Sequence, residues 1–365
     1  MKILLLAGAN SIHTARWANG LVSRGHQVHV VSAHPATHPL DERVHLRLLR
    51  HEAPWAYVLG ASEVRSIARR VAPDIVNAHY ATGYGLLARL AAVKPTLLSV
   101  WGSDVYAFPE KSLIHRLVVR GNLKASAAIA STSHCMARRV AEIHRHPHVF
   151  VTPFGVNTEV FTPAPKPTRA PDQMVIGTVK SLSPGYGIDV LIRAFAWAWD
   201  SLGRPDGLRL EISGEGAQRA ELEALAEATG VGRQVTFFGA VAHAQVLTML
   251  RRLDIFVALS RFESFGVAVL EAAACQLPVV VSDAEGLAEV TMDGVNGYVV
   301  PREDVRAAGE ALLKLIRDPA LRQSFGEAGR RHVVNHYSWD KSLDAMLDAY
   351  ERTMALASFR SPGAD

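Results

Sequence analysis

Residues 260–283 read Ser-Arg-Phe-Glu-Ser-Phe-Gly-Val-Ala-Val-Leu-Glu-Ala-Ala-Ala-Cys-Gln-Leu-Pro-Val-Val-Val-Ser-Asp. They follow a short apolar run, Ile255 to Leu259, which is typical of a parallel strand buried on both faces. A helix is predicted from about Gly266 until Leu277-Pro278 stops it, and another strand follows. This order of strand, loop, helix and strand predicts a parallel sheet covered by helices.

Two carboxylates of this stretch are candidates for ligand binding. Glu263 lies in the loop ahead of the predicted helix, and Glu271 lies in its second turn. A carboxylate at Glu271 can hold a ribose diol through charge-assisted hydrogen bonds of roughly 1.5–3 kcal/mol each. The free N–H groups at the start of the helix are a favourable place for a phosphate. The residues expected at this end are Ser264, Phe265, Gly266 and Val267.

The pattern Glu-x-Phe-Gly-x4-Glu-Ala, followed by Pro-Val-Val, resembles the signature of the retaining nucleotide-sugar glycosyltransferases of family 4. The resemblance implies the α/β class and the GT-B fold, with two Rossmann-like doubly wound domains facing a central cleft. It also implies that Glu263 lies at the donor sugar and that Glu271 binds the nucleotide ribose. The plain alternative is a pair of solvated carboxylates on a surface helix.

The loop after the first strand of the second domain departs from the family pattern. Relatives carry two basic residues there, five positions apart, which neutralise the departing diphosphate. Lys180 fills the first position, as a catalytic and donor-binding residue, and Gly185 stands at the second. One lost cation of this kind costs on the order of 3–4 kcal/mol of transition-state stabilisation. The possible substitutes are His243, Arg261 and Arg193, and the spacing selects none of them.

Further candidates follow predicted strands, where ligands bind in doubly wound sheets. In the first domain, the turn after strand one also resembles the family's opening, and Trp101 stands where many relatives have histidine. Asp104 matches the family pattern for a residue that holds a sugar hydroxyl, and its alternative is a helix or turn cap. The expected donor-binding residues outside the first stretch are Gly8, Asn10, Lys180 and Gly214. The expected acceptor-binding residues are Ser11, His13, Trp101 and Asp104.

The chain length of 365 residues predicts more than one domain. We expect an acceptor-side domain over 1–165, a nucleotide-sugar-binding domain over 172–337, and a last helix over 338–359. By the resemblance, this helix crosses back to the first domain. The boundary is placed in the proline-rich stretch 162–172, which reads as a stiff polar linker.

Charge is distributed unequally along the chain. Residues 1–170 carry 20 Lys and Arg against 9 Asp and Glu, and the remainder carries 19 against 26, so the net charges are +11 and −7. A basic first domain predicts contact with an anionic surface or acceptor, and not with nucleic acid. The predicted helix 111–124 alternates apolar and basic residues, so it fits either an anionic membrane surface or an ordinary surface helix.

The opening apolar run, Met1 to Gly8, is interpreted as a strand and not as a targeting segment. Two cysteines, Cys135 and Cys275, in apolar surroundings favour a reducing compartment without structural disulfides. We therefore expect a cytoplasmic protein with peripheral contact to the inner face of the cell membrane.

The sequence favours a retaining, metal-independent transferase that moves a hexose or N-acetylhexosamine from a nucleoside diphosphate sugar. The acceptor would be a saccharide or a lipid-linked saccharide, in surface polysaccharide assembly. No cofactor is expected. Uridine and guanosine donors both stay open, and we favour a UDP-sugar. Two alternatives remain: a catalytically weakened nucleotide-sugar-binding protein, because of Gly185, and a nucleotide-sugar epimerase.

Overall fold

The structure is a computed structural model that describes residues 1–164, 170 and 173–359. The chain divides into two compact units: residues 1–153 with the chain from 342 onward, and residues 154–341. The predicted linker residues 165–169 and 171–172 lie outside the described residues. The boundary between the two compact units lies between Pro153 and Phe154, ahead of the proline-rich stretch.

The first unit contains a seven-stranded parallel sheet in the order β3-β2-β1-β4-β5-β6-β7. Its strands are β1 (Lys2–Leu6), β2 (Gln27–Ser32), β3 (His45–Leu48), β4 (Ile75–His79), β5 (Thr96–Val100), β6 (Ala128–Ser131) and β7 (Val149–Val151). Its first six helices are α1 (Ile12–Ser23), α2 (Ala56–Leu59), α3 (Ala61–Val71), α4 (Gly83–Ala91), α5 (Leu113–Ala125) and α6 (His134–Ile143).

The second unit contains a six-stranded parallel sheet in the order β10-β9-β8-β11-β12-β13. Its strands are β8 (Met174–Val179), β9 (Leu208–Ser213), β10 (Val235–Gly239), β11 (Ile255–Ala258), β12 (Val279–Ser282) and β13 (Gly297–Val300). Its helices are α7 (Ile188–Ser201), α8 (Arg219–Ala228), α9 (His243–Arg251), α10 (Val267–Ala274), α11 (Glu285–Val290), α12 (Val305–Arg317) and α13 (Pro319–His336).

The last helix, α14 (Trp339–Phe359), groups with the first unit from residue 342 onward. Tyr350, which is fully buried, donates its hydroxyl hydrogen bond to Asn77 Oδ1 at 2.9 Å. The guanidinium of Arg352 lies 4.3 Å from the centre of the Phe150 ring. These contacts attach the helix to the sheet of the first unit.

The central strands form where the sequence has uninterrupted apolar runs. Residues 3–6 of β1 are fully buried, as are residues 255–257 of β11, because helices cover both faces of each sheet. The prediction of two parallel Rossmann-like sheets is therefore confirmed. The strand β3 was missed, because it is an exposed edge strand of four residues that alternates polar and apolar side chains.

The segment between Phe154 and Phe161 is attached to the second unit by its backbone. Arg330 of α13 donates hydrogen bonds to the carbonyls of Phe161 at 2.5 Å and Thr158 at 2.9 Å. The N–H of Val156 donates to the Tyr337 carbonyl at 2.8 Å. These bonds explain why the compact division precedes this segment, although the sequence placed it at the end of the first domain.

Candidate functional site

The loops that follow β8, β9 and β11 meet at the carboxyl edge of the second sheet. Gly214, directly after β9, has φ of +151°, and a Cβ there would lie 1.8 Å from the Lys180 carbonyl oxygen. Glycine is therefore required at this position by the neighbouring loop. A cavity of about 330 Å³ opens beside it. Its lining residues are Val179, Lys180, Ser181, Ser213, Gly214, Glu215, Ala240 and Val241.

Lys180 and Glu263, both predicted at the donor, form an ion pair within this edge. Their side chains are 12% and 16% exposed, so the pair is largely shielded from water. The Lys180 ammonium also lies 4.6 Å from the centre of the Tyr186 ring, which is a cation–π distance. An ammonium has three N–H donors, so one contact with Glu263 leaves Lys180 able to bind a further oxygen.

Glu271 lies on α10, where it is 6% exposed. Its Oε1 is 3.5 Å from Nε2 of His243, the first residue of α9. Of the three substitutes for the missing cation, His243 is therefore placed beside the predicted ribose ligand.

The helix α10 begins at Val267, one residue after the start predicted near Gly266. Gly266 has φ of +98° and is the residue immediately before the helix, while Val267 is its first residue. Phe265 is 3% exposed and contacts the rings of Phe154 and Tyr337 edge to face. The side chain of Phe265 therefore fixes the turn from within the core, and only its backbone can face a ligand.

Gly185 lies in an open part of the loop after β8, since a Cβ at this position would meet no atom within 4 Å. The nearby guanidinium of Arg261 forms two hydrogen bonds to the carboxylate of Asp189, at 2.9 and 2.7 Å, and one to Glu303 at 2.7 Å. Because two carboxylates hold Arg261, its charge is compensated within the protein. Arg193 lies exposed on α7.

The corresponding edge of the first sheet is mostly aromatic. The ring of Trp101, after β5, lies 5.8 Å from that of His13, 4.4 Å from that of His79 and 4.9 Å from that of Tyr80. The structure thus brings together two of the predicted acceptor residues, His13 and Trp101. The sequence did not indicate His79 or Tyr80 as site residues, although His79 ends the strand β4 and Tyr80 follows it.

The remaining predicted residues of this unit lie in the turn after β1. Gly8 approaches Asn10 closely, since a Cβ on it would lie 2.8 Å from Asn10 Oδ1. Asn10 is exposed, and Ser11 precedes the first residue of α1. The turn therefore presents the Asn10 side chain to solvent.

Asp104, which was predicted to hold a sugar hydroxyl, is buried between two loops of the first unit. Asp104 is only 1% exposed, and its carboxylate accepts hydrogen bonds from the backbone N–H groups of Ala81 at 2.7 Å, Trp101 at 3.1 Å and Gly102 at 2.9 Å. Burial raises the pKa of Asp104, and the backbone hydrogen bonds oppose that rise. The carboxylate joins two loops and has no open face for a sugar hydroxyl, so the cap alternative fits.

His79 is the second buried polar group of this edge. The amide of Asn77 is oriented by donating to the Leu97 carbonyl and to Ser99, so its Oδ1 faces His79 Nε2 at 3.2 Å. Since that oxygen only accepts, Nε2 carries the proton. Burial, with a smaller effect of His13, lowers the pKa of His79 to about 3. His79 is therefore neutral at physiological pH.

The described residues contain no group of three or more His, Cys, Asp or Glu side chains arranged to hold a metal ion. Among the described helices, none is both long and apolar enough to span a membrane. Both cysteines, Cys135 and Cys275, are buried, and neither forms a disulfide bond.

Comparison with protein families gives two matches that together span most of the chain. The family described as "Glycosyl transferases group 1" matches residues 162–332, and the family described as "Glycosyl transferase 4-like" matches residues 2–133. A mannosyltransferase of Corynebacterium glutamicum, described as GDP-mannose-dependent and acting on a monoacylated phosphatidylinositol monomannoside, is 32% identical over 281 residues. The match covers 70% of this chain and 72% of that protein.

A D-inositol 3-phosphate glycosyltransferase of Mycolicibacterium smegmatis is 29% identical over 322 residues, covering 79% of this chain and 69% of the relative. The corresponding protein of Segniliparus rotundus is 31% identical over 291 residues, with 74% and 62% covered. The chain thus spans about two thirds of the length of the curated relatives it matches.

Solved structures give the same fold. Sucrose-phosphate synthase from Thermosynechococcus elongatus superposes with a TM-score of 0.81 at 18% identity, over 97% of this chain and 99% of the other. Anabaena HepE, solved with UDP and glucose, superposes with a TM-score of 0.76 at 16% identity, over 96% and 100%. The chain therefore belongs to the group 1, family 4 glycosyltransferases, and it has the two Rossmann-like domains of the GT-B fold.

Proposed function

We propose that this protein transfers a hexose or N-acetylhexosamine from a nucleoside diphosphate sugar to an acceptor, with retention of the anomeric configuration and without a metal ion. The main support is the shielded Lys180–Glu263 pair beside the 330 Å³ cavity at the carboxyl edge of the second sheet. In this proposal the diphosphate lies against the Lys180 ammonium and the first amides of α10. Both would stabilise the charge that develops on the leaving group.

Glu271 would accept hydrogen bonds from the ribose hydroxyls. Its neighbour His243 would hold the carboxylate in place through the 3.5 Å contact. The nucleobase would meet the backbone at Ala240 and Val241, which line the same cavity. Backbone groups can serve either base, and we propose a UDP-sugar as the preferred donor over a GDP-sugar.

Binding of UDP and GDP, measured by calorimetry, tests the donor assignment. Glu271→Gln is expected to weaken binding of either nucleotide by about tenfold or more, because one hydrogen bond to a charged group is worth roughly 1.5–3 kcal/mol. Glu285→Gln, an exposed change in the same unit, is the matched control. Equal affinities of the two variants and the parent would reject the ribose assignment, and NMR of the transferred sugar would test retention.

A second candidate, a nucleotide-sugar-binding protein with weak turnover, is favoured by the surroundings of Gly185. Arg261 is engaged by Asp189 and Glu303, so it does not replace the cation expected at position 185. In this case Gly185→Lys would raise donor turnover by about a hundredfold, while the uncharged Gly185→Gln would not. If the parent already turns over donor rapidly and Lys adds little, the transferase proposal is favoured.

We further propose an acceptor that is a saccharide or a lipid-linked saccharide for surface polysaccharide assembly, with peripheral contact between α5 and the cytoplasmic face of the membrane. Leu113 and Ile114 are each 72% exposed on α5, and Arg120 and Lys124 on the same helix are exposed. Apolar and basic groups on one helix suit an anionic lipid surface. Leu113→Ser should then reduce sedimentation with vesicles of phosphatidylglycerol, and unchanged sedimentation would argue against this contact.

A further inference from the structure

A second concave surface lies at the opposite end of the first sheet. A cavity of about 450 Å³ opens between the beginnings of β1 and β2, the edge strand β3 and the last turns of α3. Its basic lining residues, here called the basic groove, are Lys2, His29, His45, Arg47 and Arg70. None of the eleven residues that line it is Asp or Glu. An uncompensated cluster of this kind attracts anions.

The positive charges of the groove are weakly balanced by neighbouring carboxylates. Arg47 reaches Glu63 only at 3.9 Å between Nε and Oε1. Within the described chain, Arg70 makes no ion pair. Asp74 accepts a hydrogen bond from the backbone N–H of Lys2 and not from its ammonium. Two guanidinium groups thus remain able to bind an external anion.

The two histidines of the groove lie in contact. The rings of His29 and His45 are stacked, with centroids 4.7 Å apart and planes 25° apart. Nε2 of His29 is buried without a hydrogen-bond partner among the described residues. Burial lowers the pKa of His29, and the nearby His45 and Lys2 lower it further. An anion in the groove would offset the repulsion between these groups.

The groove extends toward the start of β2. A neighbouring cavity of about 410 Å³ shares Gln27 and His45 with it and adds His26 and Arg43. Arg43 is held by Asp41 through two hydrogen bonds, at 2.9 and 2.7 Å. The least compensated part is therefore the region around Arg47 and Arg70, since Arg47 meets Glu63 only at 3.9 Å, and that region defines the site.

The chemistry of the site favours a phosphate. Guanidinium groups bind phosphate oxygens through paired hydrogen bonds, and each ionic hydrogen bond is stronger than a neutral one. The groove lies where the strands begin, whereas Gly8 and Trp101 lie where strands end. A strand of five residues separates the two edges by roughly 15–20 Å. The site is therefore distinct from the donor and acceptor residues assigned within the first unit.

We infer that the basic groove binds the phosphate group of a second ligand, either a soluble phosphorylated molecule or an anionic lipid headgroup. The ligand would bridge Arg47 on β3 and Arg70 on α3, next to the stacked rings of His29 and His45.

Calorimetric titration of inorganic pyrophosphate into the full chain tests the site, with UDP present at saturation to occupy the donor position. The double variant Arg47→Gln, Arg70→Gln is expected to weaken binding by at least about tenfold, because two charge-assisted contacts are lost. Arg69→Gln is the matched control, since Arg69 is exposed on the same helix outside the groove. It should change the affinity by less than about twofold.

NMR of the histidine side chains locates the binding. Pyrophosphate should shift the resonances of His29 and His45, with assignment by single His→Asn variants. Sedimentation with vesicles separates the two sources of phosphate: equal parts of phosphatidylcholine and phosphatidylglycerol are compared with phosphatidylcholine alone. If the parent binds vesicles but not pyrophosphate, and the double variant loses vesicle binding, the ligand is a lipid headgroup. If the parent binds pyrophosphate but not vesicles, and the double variant loses pyrophosphate binding, the ligand is soluble.

Three outcomes would overturn the inference. The first is that neither probe binds the parent, and the second is that Arg69→Gln weakens binding as much as the double variant. The third is that pyrophosphate binds but the histidine resonances of the groove do not move. If the double variant is unfolded by circular dichroism, the single variant Arg70→Gln replaces it, with an expected loss of about fivefold.

Discussion

The carboxyl edges of the two sheets differ in chemistry although their strands are arranged alike. In the second unit the loops carry a shielded ion pair, Lys180 with Glu263. In the first unit they carry aromatic rings that contact Trp101 in edge-to-face or tilted arrangements, and a neutral His79. Fixed charges suit a diphosphate, and ring faces suit the apolar faces of a sugar. The common scaffold thus determines where a site lies, and the loops determine what it binds.

The largest effect is expected at the carboxyl edge of the second sheet, which carries the Lys180–Glu263 pair. Lys180→Ala should lower donor turnover by at least about a hundredfold, because it removes a cation from the developing charge of the leaving group. Binding of the donor should fall less than turnover, since the charge grows in the transition state. Steady-state kinetics with the preferred donor measure both.

Lys341→Ala, an exposed change in the same unit, is the matched control for Lys180→Ala. If donor binding and turnover fall by the same factor in Lys180→Ala, the lysine contributes only to binding. The contrast between the two edges would then concern affinity and not catalysis.

A smaller effect is expected at the carboxyl edge of the first sheet. Asp104→Asn should lower the free energy of unfolding by about 1–3 kcal/mol, because an amide nitrogen would face backbone N–H groups that now donate to the carboxylate. Urea unfolding measures this loss. Asp348→Asn, an exposed change in the same unit, controls for removal of a charge.

If Asp104→Asn keeps full stability and instead raises the KM for the acceptor, the carboxylate binds a sugar after all. The first edge would then use a charge for recognition, and its contrast with the second edge would be weaker.

The sequence predicted the sheets well because their central strands are buried on both faces. Such strands are continuous apolar runs, as residues 3–6 and 255–257 show. The edge strand β3 has all four residues exposed, so it left no such pattern. The grouping of segment 154–161 with the second unit was not visible in the sequence, because its attachment depends on Arg330, which is distant along the chain.

The candidate site was predicted unevenly for a similar reason. Lys180 and Glu263 were found through motifs, and the structure brings them together. The orientation of a carboxylate is not visible in a sequence, so the burial of the Asp104 side chain inside the protein could not be predicted. Tyr186 was missed as a neighbour of Lys180, since a lone tyrosine in a loop carries no spacing signal.

The smallest effect is the pH dependence of stability that His79 causes at the carboxyl edge of the first sheet. His79 has a pKa of about 3 in the folded protein, because burial disfavours its charged form, against about 6.5 in an unfolded chain. Between these values the unfolded chain binds a proton that the folded protein does not. The stability from this residue is therefore complete above about pH 6.5 and declines as the pH falls.

At pH 5 the loss attributable to His79 should be about 2 kcal/mol relative to neutral pH. His79→Gln does not titrate and keeps a donor for Asn77. Between pH 7 and pH 5 this variant should therefore lose about 2 kcal/mol less stability than the parent. Denaturant unfolding at pH 7 and pH 5 measures the difference, and His51→Gln, an exposed change in the same unit, should behave like the parent. If His79→Gln and the parent lose stability equally, the pKa of His79 is the same in the folded and the unfolded protein, and His79 is protonated in the folded protein at pH 5. The edge around Trp101 would then carry a charge as the donor edge does, and the two regions would differ less than their structures suggest.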